Sequence, residues 1–169
     1  MIKILLPVLF TALFLGCCAN ETKEVKTDVK KVRFQSVLVK QATLLQDAKK
    51  NKSCAICGMH LPTFYKTNHA ADTKDGIKQY CSIHCLAKDN EINKTDLKNL
   101  RVVDTNSLEF IPALKAFYVV GSKKSATMSR VSKYAFSTKN EALDFAKKFG
   151  GKVMKFYDAY DEATKDFMK

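Results

Sequence analysis

Four cysteines and all three histidines of this chain are concentrated in residues 54–85. The cysteines are Cys54, Cys57, Cys81 and Cys85, and the histidines are His60, His69 and His84. The region opens with the sequence SCAICGMH, in which Met59 adds a thioether to two thiols and an imidazole. Thiolate, thioether and imidazole are the donor groups that proteins offer to soft and borderline metal ions. This concentration of donors predicts a fold that brings the two ends of the region together around a metal ion.

The start of the chain predicts a signal peptide that carries a lipid anchor. Residues 4–15 form an apolar run that is too short to span a bilayer and has the length of the hydrophobic region of a secretory signal. The run ends at Leu15-Gly16-Cys17, which resembles a bacterial lipoprotein signal, where a small residue precedes the cysteine that receives lipid. We predict that residues 1–17 are this signal and that Cys17 is lipidated. Lipidation at Cys18 and a plain secretory signal are the alternatives.

We predict that the next segment, residues 18–40, is a flexible tether. From residue 19 to residue 33 it is polar, carries mixed charge and has no apolar periodicity. The chain has a net charge of +12, which suits an acidic protein, an anionic lipid or a nucleic acid. The lysines are scattered, without the interleaved aromatic residues that bind single strands, and an exported chain rarely meets nucleic acid. We therefore predict no nucleic-acid partner and a location in the cell envelope, lipid-anchored to a membrane and facing the periplasm.

Disulfide bonds are the first alternative to metal binding in an exported chain. A bond between Cys54 and Cys57 would close a very short loop, so it would remove little entropy from the unfolded chain. A chain of 169 residues with 46% hydrophobic residues also buries a core that needs no covalent cross-link. Disulfide bonds leave Met59 and the histidines unexplained. We therefore interpret the cysteines as metal ligands, and a reversible bond between Cys54 and Cys57 is compatible with that role.

Residues 41–107 predict a ββαβ unit that carries the donors. Helix-forming residues indicate a short helix over 42–50, and the pair Asp75-Gly76 indicates a hairpin between two strands. The strands of the unit are predicted over 64–70, 77–81 and 100–103, and its helix is predicted from the N-cap Ser82 to Asn90. Cys81 would then end a strand and Cys85 would lie one turn into the helix, where free N–H groups and the helix dipole stabilise a thiolate.

Residues 108–169 predict a second ββαβ unit that ends in a further helix. Its strands are predicted over 116–120, 134–136 and 152–156, and its terminal helix over 158–169. Thr138 and Glu141 form a capping box that opens a helix over 139–149, and Gly150-Gly151 ends it. The predicted fold class is therefore α+β, with two small ββαβ units packed together and preceded by the lipoprotein signal and the flexible tether.

The spacing of the cysteines is close to that of small zinc modules, which close a tetrahedral thiolate site. A structural Zn²⁺ site leaves Met59 unexplained, because a neutral thioether is a poor ligand for zinc. A thioether combined with thiolates selects Cu(I), and Met128 supplies a second thioether in the hydrophilic loop 121–132. We therefore predict that the chain binds Cu(I). Zn²⁺ is the alternative ion at the four-cysteine cluster.

Several segments of the chain resemble, in the same order, those of a known family. They are Cys57-Gly58-Met59, Ala116-Phe117-Tyr118-Val119-Val120-Gly121-Ser122, Met128, the sequence AFSTKNEA at 135–142 and the sequence FGGKV at 149–153. They are similar to segments of the nitrous oxide reductase accessory proteins of the NosL type, which are lipid-anchored copper chaperones of the bacterial cell envelope. The resemblance covers residues 50–158.

The resemblance implies a protein that is not an enzyme and that serves the assembly of nitrous oxide reductase in denitrification. It implies that Cu(I) is held by cysteine, methionine and histidine and is delivered by ligand exchange to the reductase or its membrane assembly complex. Matched position by position, it supports Cys57, Met59 and Met128 as ligands. It also implies a fold of two ββαβ units. His60 and His69 compete for the role of the histidine that the family uses.

The candidate metal ligands are therefore the sulfur and imidazole groups of the donor region and the loop methionine. They are Cys54, Cys57, Met59, His60, His69, Cys81, His84, Cys85 and Met128. Two alternatives to a copper chaperone stay open. One is a structural zinc module similar to the metal-binding modules called TRASH domains, which would bind other envelope proteins. The other is a thiol–disulfide oxidoreductase that uses Cys54 and Cys57, although this pair precedes a hairpin, whereas thioredoxin-like pairs open a helix.

Overall fold

The computed structural model of the chain describes residues 33–46 and 51–168. These residues fall within one compact region, Lys31–Lys169, which contains both ββαβ units. The predicted signal peptide, Cys17 and most of the predicted tether lie outside the described residues, and so does the second half of the helix predicted over 42–50. No helix in the described part of the chain is long and apolar enough to cross a bilayer.

The first unit forms an antiparallel sheet of four strands with one helix. Strand β1 spans His69–Thr73, β2 spans Gly76–Tyr80, α1 spans Ile83–Glu91, β3 spans Lys98–Val103 and β4 spans Phe110–Pro112. Two 3-10 segments, Val39–Gln41 and Leu61–Thr67, precede the sheet. The strand order is β2-β1-β3-β4, so β1 lies between β2 and β3. The hairpin of β1 and β2 turns before Gly76, whose φ of 109° suits glycine, and the hairpin predicted there is confirmed.

The second unit repeats this arrangement. Strand β5 spans Phe117–Val120, β6 spans Lys133–Phe136, α2 spans Lys139–Phe149, β7 spans Lys152–Met154 and a last helix, α3, spans Phe156–Thr164. Strand β5 is central and pairs antiparallel with β6 and β7, as β1 pairs with β2 and β3. In both units the helix joins the second strand to the third. The predicted α+β class with two ββαβ units is therefore confirmed, and β4 is an additional edge strand.

The two units are packed together through a shared core. The larger buried cluster includes Tyr80 of β2, Tyr118 of β5 and Phe156 of α3. Helix α1 packs against α3, and a backbone bridge joins Asp104, after β3, to Ala135 in β6. Burial of this apolar surface is the main contribution that stabilises the fold. It also fixes the elements that carry the cysteines, because Cys54, Cys81 and Cys85 belong to the same cluster.

Helix α2 begins and ends where the sequence predicts. Thr138 Oγ1 accepts a hydrogen bond of 3.3 Å from the backbone N–H of Glu141, and the Glu141 carboxylate accepts one of 3.2 Å from the backbone N–H of Thr138. This capping box satisfies two N–H groups that have no partner inside the helix. Gly150 follows the helix with a φ of 75°, which stops it. By contrast, the last strand ends at Met154, because α3 already begins at Phe156, ahead of its predicted start.

The helix predicted before the donor region is wrong over residues 42–45, which have no helical structure. Thr43 N–H donates a hydrogen bond of 3.0 Å to the Tyr65 hydroxyl, and Leu45 N–H donates one of 2.9 Å to the side chain of Gln79. Contacts with distant residues therefore satisfy the backbone here, and they override the local helix propensity.

The strand predicted over 64–70 is also wrong over most of its length, because the structure has 3-10 turns through Thr67. The Thr67 hydroxyl and the Asn68 side-chain amide both lie 2.9 Å from the carbonyl oxygen of Phe64. Local bonds of this kind between a side chain and the backbone compete with strand pairing and favour a turn. The strand therefore starts only where these bonds end.

Gly151, between α2 and β7, is required by close backbone packing. Its φ is 99°, and a Cβ atom there would lie 2.8 Å from the carbonyl oxygen of Val120 and 2.9 Å from Cγ1 of Val119. We expect Gly151→Ala to lower the free energy of unfolding by about 3 kcal/mol, from backbone strain and the clash together. The matched control is Gly76→Ala, where φ is 109° but no atom lies within 4 Å of the Cβ position. Chemical denaturation should show a smaller loss for the control, and equal losses would contradict the clash.

Candidate metal centre

The sulfur atoms of the four cysteines lie together in the structure. They belong to Cys54, Cys57, Cys81 and Cys85, and all four lie within 4.8 Å of one another. The sulfur of Cys81 is 3.5 Å from that of Cys57 and 3.7 Å from that of Cys85, and all four thiols are free. Four sulfur atoms arranged tetrahedrally at about 2.3 Å from a metal ion are about 3.8 Å apart. The thiols therefore have the spacing of a metal-binding cage.

The first pair of thiols lies in a tight turn closed by backbone hydrogen bonds. Cys54 N–H donates to the Met59 carbonyl at 2.8 Å, and Gly58 N–H donates to the Cys54 carbonyl at 3.0 Å. Gly58 has a φ of 74°, a left-handed conformation that reverses the chain directly after Cys57. The backbone groups of Cys57 and Cys81 also lower the pKa of the Cys54 thiol. The turn thus places two thiols side by side and supplies donors that stabilise a thiolate.

The second pair of thiols lies where β2 passes into α1. Cys81 follows the last residue of β2, and Cys85 lies in the first turn of α1, which begins at Ile83. Ser82 is the N-cap residue, as predicted, but its hydroxyl makes no capping hydrogen bond and lies 4.0 Å from the sulfur of Cys81. The N–H groups of the first turn therefore have no side-chain acceptor from the cap. This arrangement favours negative charge, such as a thiolate, at the start of the helix.

The thiols of Cys54, Cys81 and Cys85 differ in how readily they lose a proton. Hydrogen bonds with the thiols of Cys81 and Cys85 hold the pKa of Cys54 well below its usual range, against the opposing effect of burial. The contact with Cys54 raises the pKa values of Cys81 and Cys85, and burial raises them further. The ionised thiol is therefore that of Cys54, and the expectation of a thiolate at Cys81 or Cys85 from the helix start alone is wrong, because the neighbouring thiolate and burial outweigh the helix dipole. In the metal-free protein one thiolate is therefore held by two neighbouring S–H groups. A metal ion that enters the cluster displaces these protons, so binding strengthens as the pH rises.

Met59 and His60 follow the cysteine turn but differ in exposure. Met59 is half-buried against the larger core, and its carbonyl accepts the hydrogen bond from Cys54. His60 is exposed, and its Nδ1 lies 3.0 Å from the hydroxyl of Thr63. Met59 is thus fixed beside the cluster through its backbone, whereas His60 is accessible from solvent next to it.

His69 lies in the core, at the contact between the central strands of the two units. Its Nδ1 donates to the Thr67 carbonyl at 3.0 Å, which places the proton on Nδ1, and its Nε2 accepts from the Tyr118 hydroxyl at 3.2 Å. Burial lowers the pKa of His69 to about 4, so the ring is neutral at neutral pH. Both ring nitrogens are engaged by the protein. The structure does not bring His69 into the group of four thiols.

His84 precedes Cys85 on α1, but the group of four thiols does not include it. Its Nδ1 is buried without a hydrogen bond and lies 3.8 Å from Oδ2 of Asp166. The ring of Phe167 packs edge-on against the imidazole, with 5.2 Å between the ring centres. Burial lowers the pKa of His84, and the Asp166 carboxylate opposes this effect. His84 is therefore covered by Asp166 and Phe167.

Met128 lies in the segment between β5 and β6, residues 121–132, which we call the methionine loop. Its side chain is exposed, with a relative exposure of 39%, and its φ of 56° is a left-handed conformation that is uncommon for a residue with a side chain. The neighbouring Thr127 hydroxyl lies 3.0 Å from the Thr67 hydroxyl, which lies 2.8 Å from the Cys81 carbonyl oxygen. Two hydroxyl groups thus tie the methionine loop to the backbone of the cluster.

Sequence reasoning missed the residues that hold the methionine loop in place. Gln35 is buried, and its side-chain amide donates to the Ser125 carbonyl at 2.7 Å. The Tyr134 hydroxyl donates to the same carbonyl at 2.7 Å. Gln35 falls within residues 18–40, the predicted tether, so the end of that segment packs onto the second unit. No local pattern indicates a bond between residues so far apart in the chain, and the same holds for the two threonines.

A protein family and a solved structure are similar to this chain. The sequence model of the NosL family matches residues 45–164. The chain is also similar to the protein in the crystal structure of the copper chaperone NosL from Shewanella denitrificans, with 26% identity and a TM-score of 0.55 over 70% of this chain and 95% of the other. No curated protein sequence matches the chain. Because the family match spans the cysteine turn, both ββαβ units and the methionine loop, this chain belongs to the NosL family.

Proposed function

We propose that this chain is a cell-envelope copper chaperone that binds Cu(I) and delivers it by ligand exchange to nitrous oxide reductase or its membrane assembly complex. The observation that carries the proposal is the group of four thiols, whose spacing and chemistry suit a soft metal ion. Membership of the NosL family and the similarity to a copper chaperone support copper as that ion. The lipid anchor at Cys17 and the periplasmic location predicted from the sequence belong to the same proposal.

Ligand exchange requires a ligand that the acceptor can reach. Cys57 is the half-exposed member of the group, whereas Cys54, Cys81 and Cys85 are buried. A donor atom of the acceptor would therefore meet the metal at Cys57 first. Each new bond to the acceptor would replace one bond to the chaperone, so that no free ion is released. The buried thiols would hold the ion until the exchange is complete.

Met59 and Met128 complete the proposed site as thioether ligands. Met59 follows Cys57 by two residues, and Met128 is exposed on a loop that is tied to Cys81 through the two threonines. A thioether is a soft donor that suits Cu(I) better than it suits zinc, so these two residues favour a copper site. His60 is the exposed imidazole beside the cysteine turn, and we propose it as the histidine that a transferred ion meets.

A structural zinc site is the second candidate, because one observation favours it. The distances of 3.5 and 3.7 Å between neighbouring sulfur atoms match the edge of a tetrahedral Zn²⁺ site with four thiolates, about 3.8 Å. Zinc would then have a closed set of ligands and no role for either methionine. The thiol–disulfide oxidoreductase has less support, because Cys54 and Cys57 lie in a turn and not at the start of a helix.

Metal competition after anaerobic purification distinguishes copper from zinc. We expect Cu(I) to displace Zn²⁺ from the protein, and we expect Met59→Leu and Met128→Leu each to weaken Cu(I) binding about tenfold without changing zinc binding. Met154→Leu is the matched control, because that methionine is partly buried against the same core as Met59 but is not a proposed ligand. Competition with a chromophoric chelator measures the Cu(I) affinity. Retention of Zn²⁺ in the presence of Cu(I) would overturn the copper site in favour of the zinc module.

Delivery is tested with the proposed acceptor. The Cu(I)-loaded protein is mixed with copper-free nitrous oxide reductase in the presence of a chelator that removes free Cu(I). We expect copper transfer from the wild-type protein, and slower transfer from Cys57→Ser than from Ser53→Ala. A wild-type protein that binds Cu(I) but gives none to the reductase would overturn this choice of acceptor.

A further inference from the structure

Three lysines gather around two aromatic rings beside the methionine loop. The ammonium nitrogens of Lys66 and Lys124 lie 4.5 and 4.6 Å from the centre of the Phe34 ring. The ammonium nitrogen of Lys124 also lies 4.1 Å from the centre of the Phe149 ring, and that of Lys148 lies 5.3 Å from it. We call these five residues the cationic patch.

The positive charges of the cationic patch have no acidic partner among the described residues. No carboxylate there forms an ion pair with Lys66, Lys124 or Lys148, whereas the buried Lys133 lies 3.7 Å from the Asp166 carboxylate. Burial lowers the pKa of Lys66, and the nearby charge of Lys124 lowers it further. Two like charges are therefore held close together, and an anion that bound between them would relieve their repulsion.

The cationic patch is linked to the proposed copper site along the chain and through two hydroxyl groups. Lys66 directly precedes Thr67, whose hydroxyl lies 2.8 Å from the Cys81 carbonyl oxygen and 3.0 Å from the Thr127 hydroxyl. Thr127 in turn directly precedes Met128. Lys66 is thus adjacent in the chain to Thr67, the residue whose hydroxyl joins the methionine loop to the cysteine cluster.

The other side of the cationic patch is part of the methionine loop itself. Lys124 belongs to this loop, and the next residue, Ser125, is held by the side chain of the buried Gln35. Gln35 follows Phe34, whose ring packs edge-on against Tyr134 with 5.4 Å between the ring centres. The lysines are therefore presented on a fixed framework, and fixing the framework in advance reduces the entropy lost on binding.

We propose that the cationic patch is the docking surface for an acidic segment of the protein that receives the copper. This inference rests on the proposed function, because ligand exchange brings the acceptor against Met128, which lies in the same loop as Lys124. Carboxylates of the acceptor neutralise the three lysines, and the two aromatic rings contact the apolar parts of the segment. The attraction also steers the two proteins together and raises the rate at which they meet.

The position of the copper site favours an acidic protein segment over an anionic lipid surface. A membrane that lay against the cationic patch would cover the methionine loop, in which Met128 is exposed. It would thereby compete with the acceptor for the loop that carries Met128. An acidic segment of the acceptor occupies the same patch and brings its own metal ligands to the site.

Binding of a synthetic peptide to the metal-free protein tests the inference. The probe is a glutamate-rich peptide with a fluorescent label, and its counterpart has lysine at each glutamate position. We expect the wild-type protein to bind the glutamate peptide, and we expect the triple variant Lys66→Gln, Lys124→Gln, Lys148→Gln to bind it about tenfold more weakly at low ionic strength. The matched control is Lys74→Gln, Lys115→Gln, Lys139→Gln, which removes the same charge from exposed lysines outside the patch.

The outcomes separate the docking surface from net charge, from lipid binding and from copper binding. Equal binding of the peptide by the two triple variants would overturn the inference, because net charge alone would then account for it. Vesicles that contain phosphatidylserine form a further arm, and patch-dependent binding of vesicles without patch-dependent binding of the peptide would also overturn it. A patch variant that loses the peptide but keeps its Cu(I) affinity supports it. Patch-dependent peptide binding by a wild-type protein that does not bind Cu(I) would refute the proposed function while supporting the surface.

Discussion

Cys54→Ser is expected to weaken metal binding by more than about 100-fold, because loss of a partner that merely orients a ligand already costs roughly 10- to 100-fold. Cys54 is buried, and its neighbours Cys81 and Cys85, together with the backbone groups of Cys57 and Cys81, lower the pKa of its thiol. Its lowered pKa makes it the thiol that is ionised before a metal arrives. It can therefore bind an entering metal ion without first losing a proton. Serine keeps the size of the side chain but supplies no soft donor.

Competition with a chelator of known affinity measures this loss. Ser53→Ala is the matched control, because Ser53 is the adjacent residue and contributes its backbone groups to the hydrogen bonds around it. A Cys54→Ser protein that held the metal as tightly as the control would show that the four thiols are not the metal site. Circular dichroism of both metal-free variants would confirm that they are folded.

The affinity of the wild-type cluster should also rise with pH. The pKa values of Cys81 and Cys85 are raised, so both thiols are protonated at neutral pH and lose their protons when they bind a metal. Each displaced proton raises the affinity about tenfold per pH unit, so the protons of Cys81 and Cys85 alone give about 100-fold per pH unit. Calorimetry in buffers of different ionisation enthalpy counts the protons released. An affinity that did not change with pH would contradict the sharing of protons within the cluster.

Elements with local signals could be predicted from the sequence, and elements fixed by distant contacts could not. Helix α2 was predictable because Thr138 and Glu141 act on each other within one helical turn. The helix predicted from Ala42 was wrong because the chain there bonds to Tyr65 and Gln79, which the sequence places far away. The repeat of the ββαβ order was predictable because the hairpin signal and the helix caps are local, even though the first strand begins at His69 and not at residue 64 as predicted.

The same distinction applies to the candidate metal centre. The convergence of the four cysteines was predictable, because a hairpin followed by a helix brings Cys81 and Cys85 back to the cysteine turn. The environments of the histidines were not predictable, because they depend on which residues bury each ring. His69 bonds to Tyr118, 49 residues further along, and the bond between the two threonines joins residues 60 apart. Distances of this kind in the chain leave no periodic pattern in the sequence.

Asp89 lies at the centre of a buried network that joins the two elements carrying the second pair of thiols. The donors to its carboxylate are Lys78, Tyr80, Asn93 and Thr95, at 2.8 to 3.0 Å. Burial opposes ionisation of Asp89, but the hydrogen bonds outweigh it and hold the pKa below its usual value. Tyr80 directly precedes Cys81, and Asp89 follows Cys85 by one turn on α1. The carboxylate therefore connects the end of β2 to α1.

Asp89→Ala is expected to lower the free energy of unfolding of the metal-free protein by about 2–4 kcal/mol, because the buried carboxylate accepts four hydrogen bonds, although its ion-pair partner Lys78 is partly exposed. Tyr80 is fully buried, so its hydroxyl loses its acceptor where water does not replace it. Asp96→Ala is the control, because its ion pair with Lys98 is exposed and contributes about 0.5 kcal/mol at most. Urea denaturation measures both. A similar loss in the two variants would contradict the role of the network.

The contribution of Asp89 should disappear in acid. Its pKa is lowered in the folded protein, so the stabilisation is present above the unfolded pKa of about 4 and is lost as the pH falls through the folded value. The stabilities of wild type and Asp89→Ala should therefore approach each other at low pH. A difference that persisted unchanged would mean that the charge of the carboxylate does not contribute.

Metal binding and the Asp89 network should stabilise each other, because both join the end of β2 to the start of α1. When the carboxylate is removed, the metal itself must order Cys81 and Cys85, so Asp89→Ala should bind metal about tenfold more weakly. Linkage then requires the loss of stability to be larger in the metal-loaded protein than in the metal-free protein by the same free energy. Chelator competition and denaturation with and without metal measure the two sides independently. An unchanged metal affinity would mean that the network stabilises the fold without positioning the thiols.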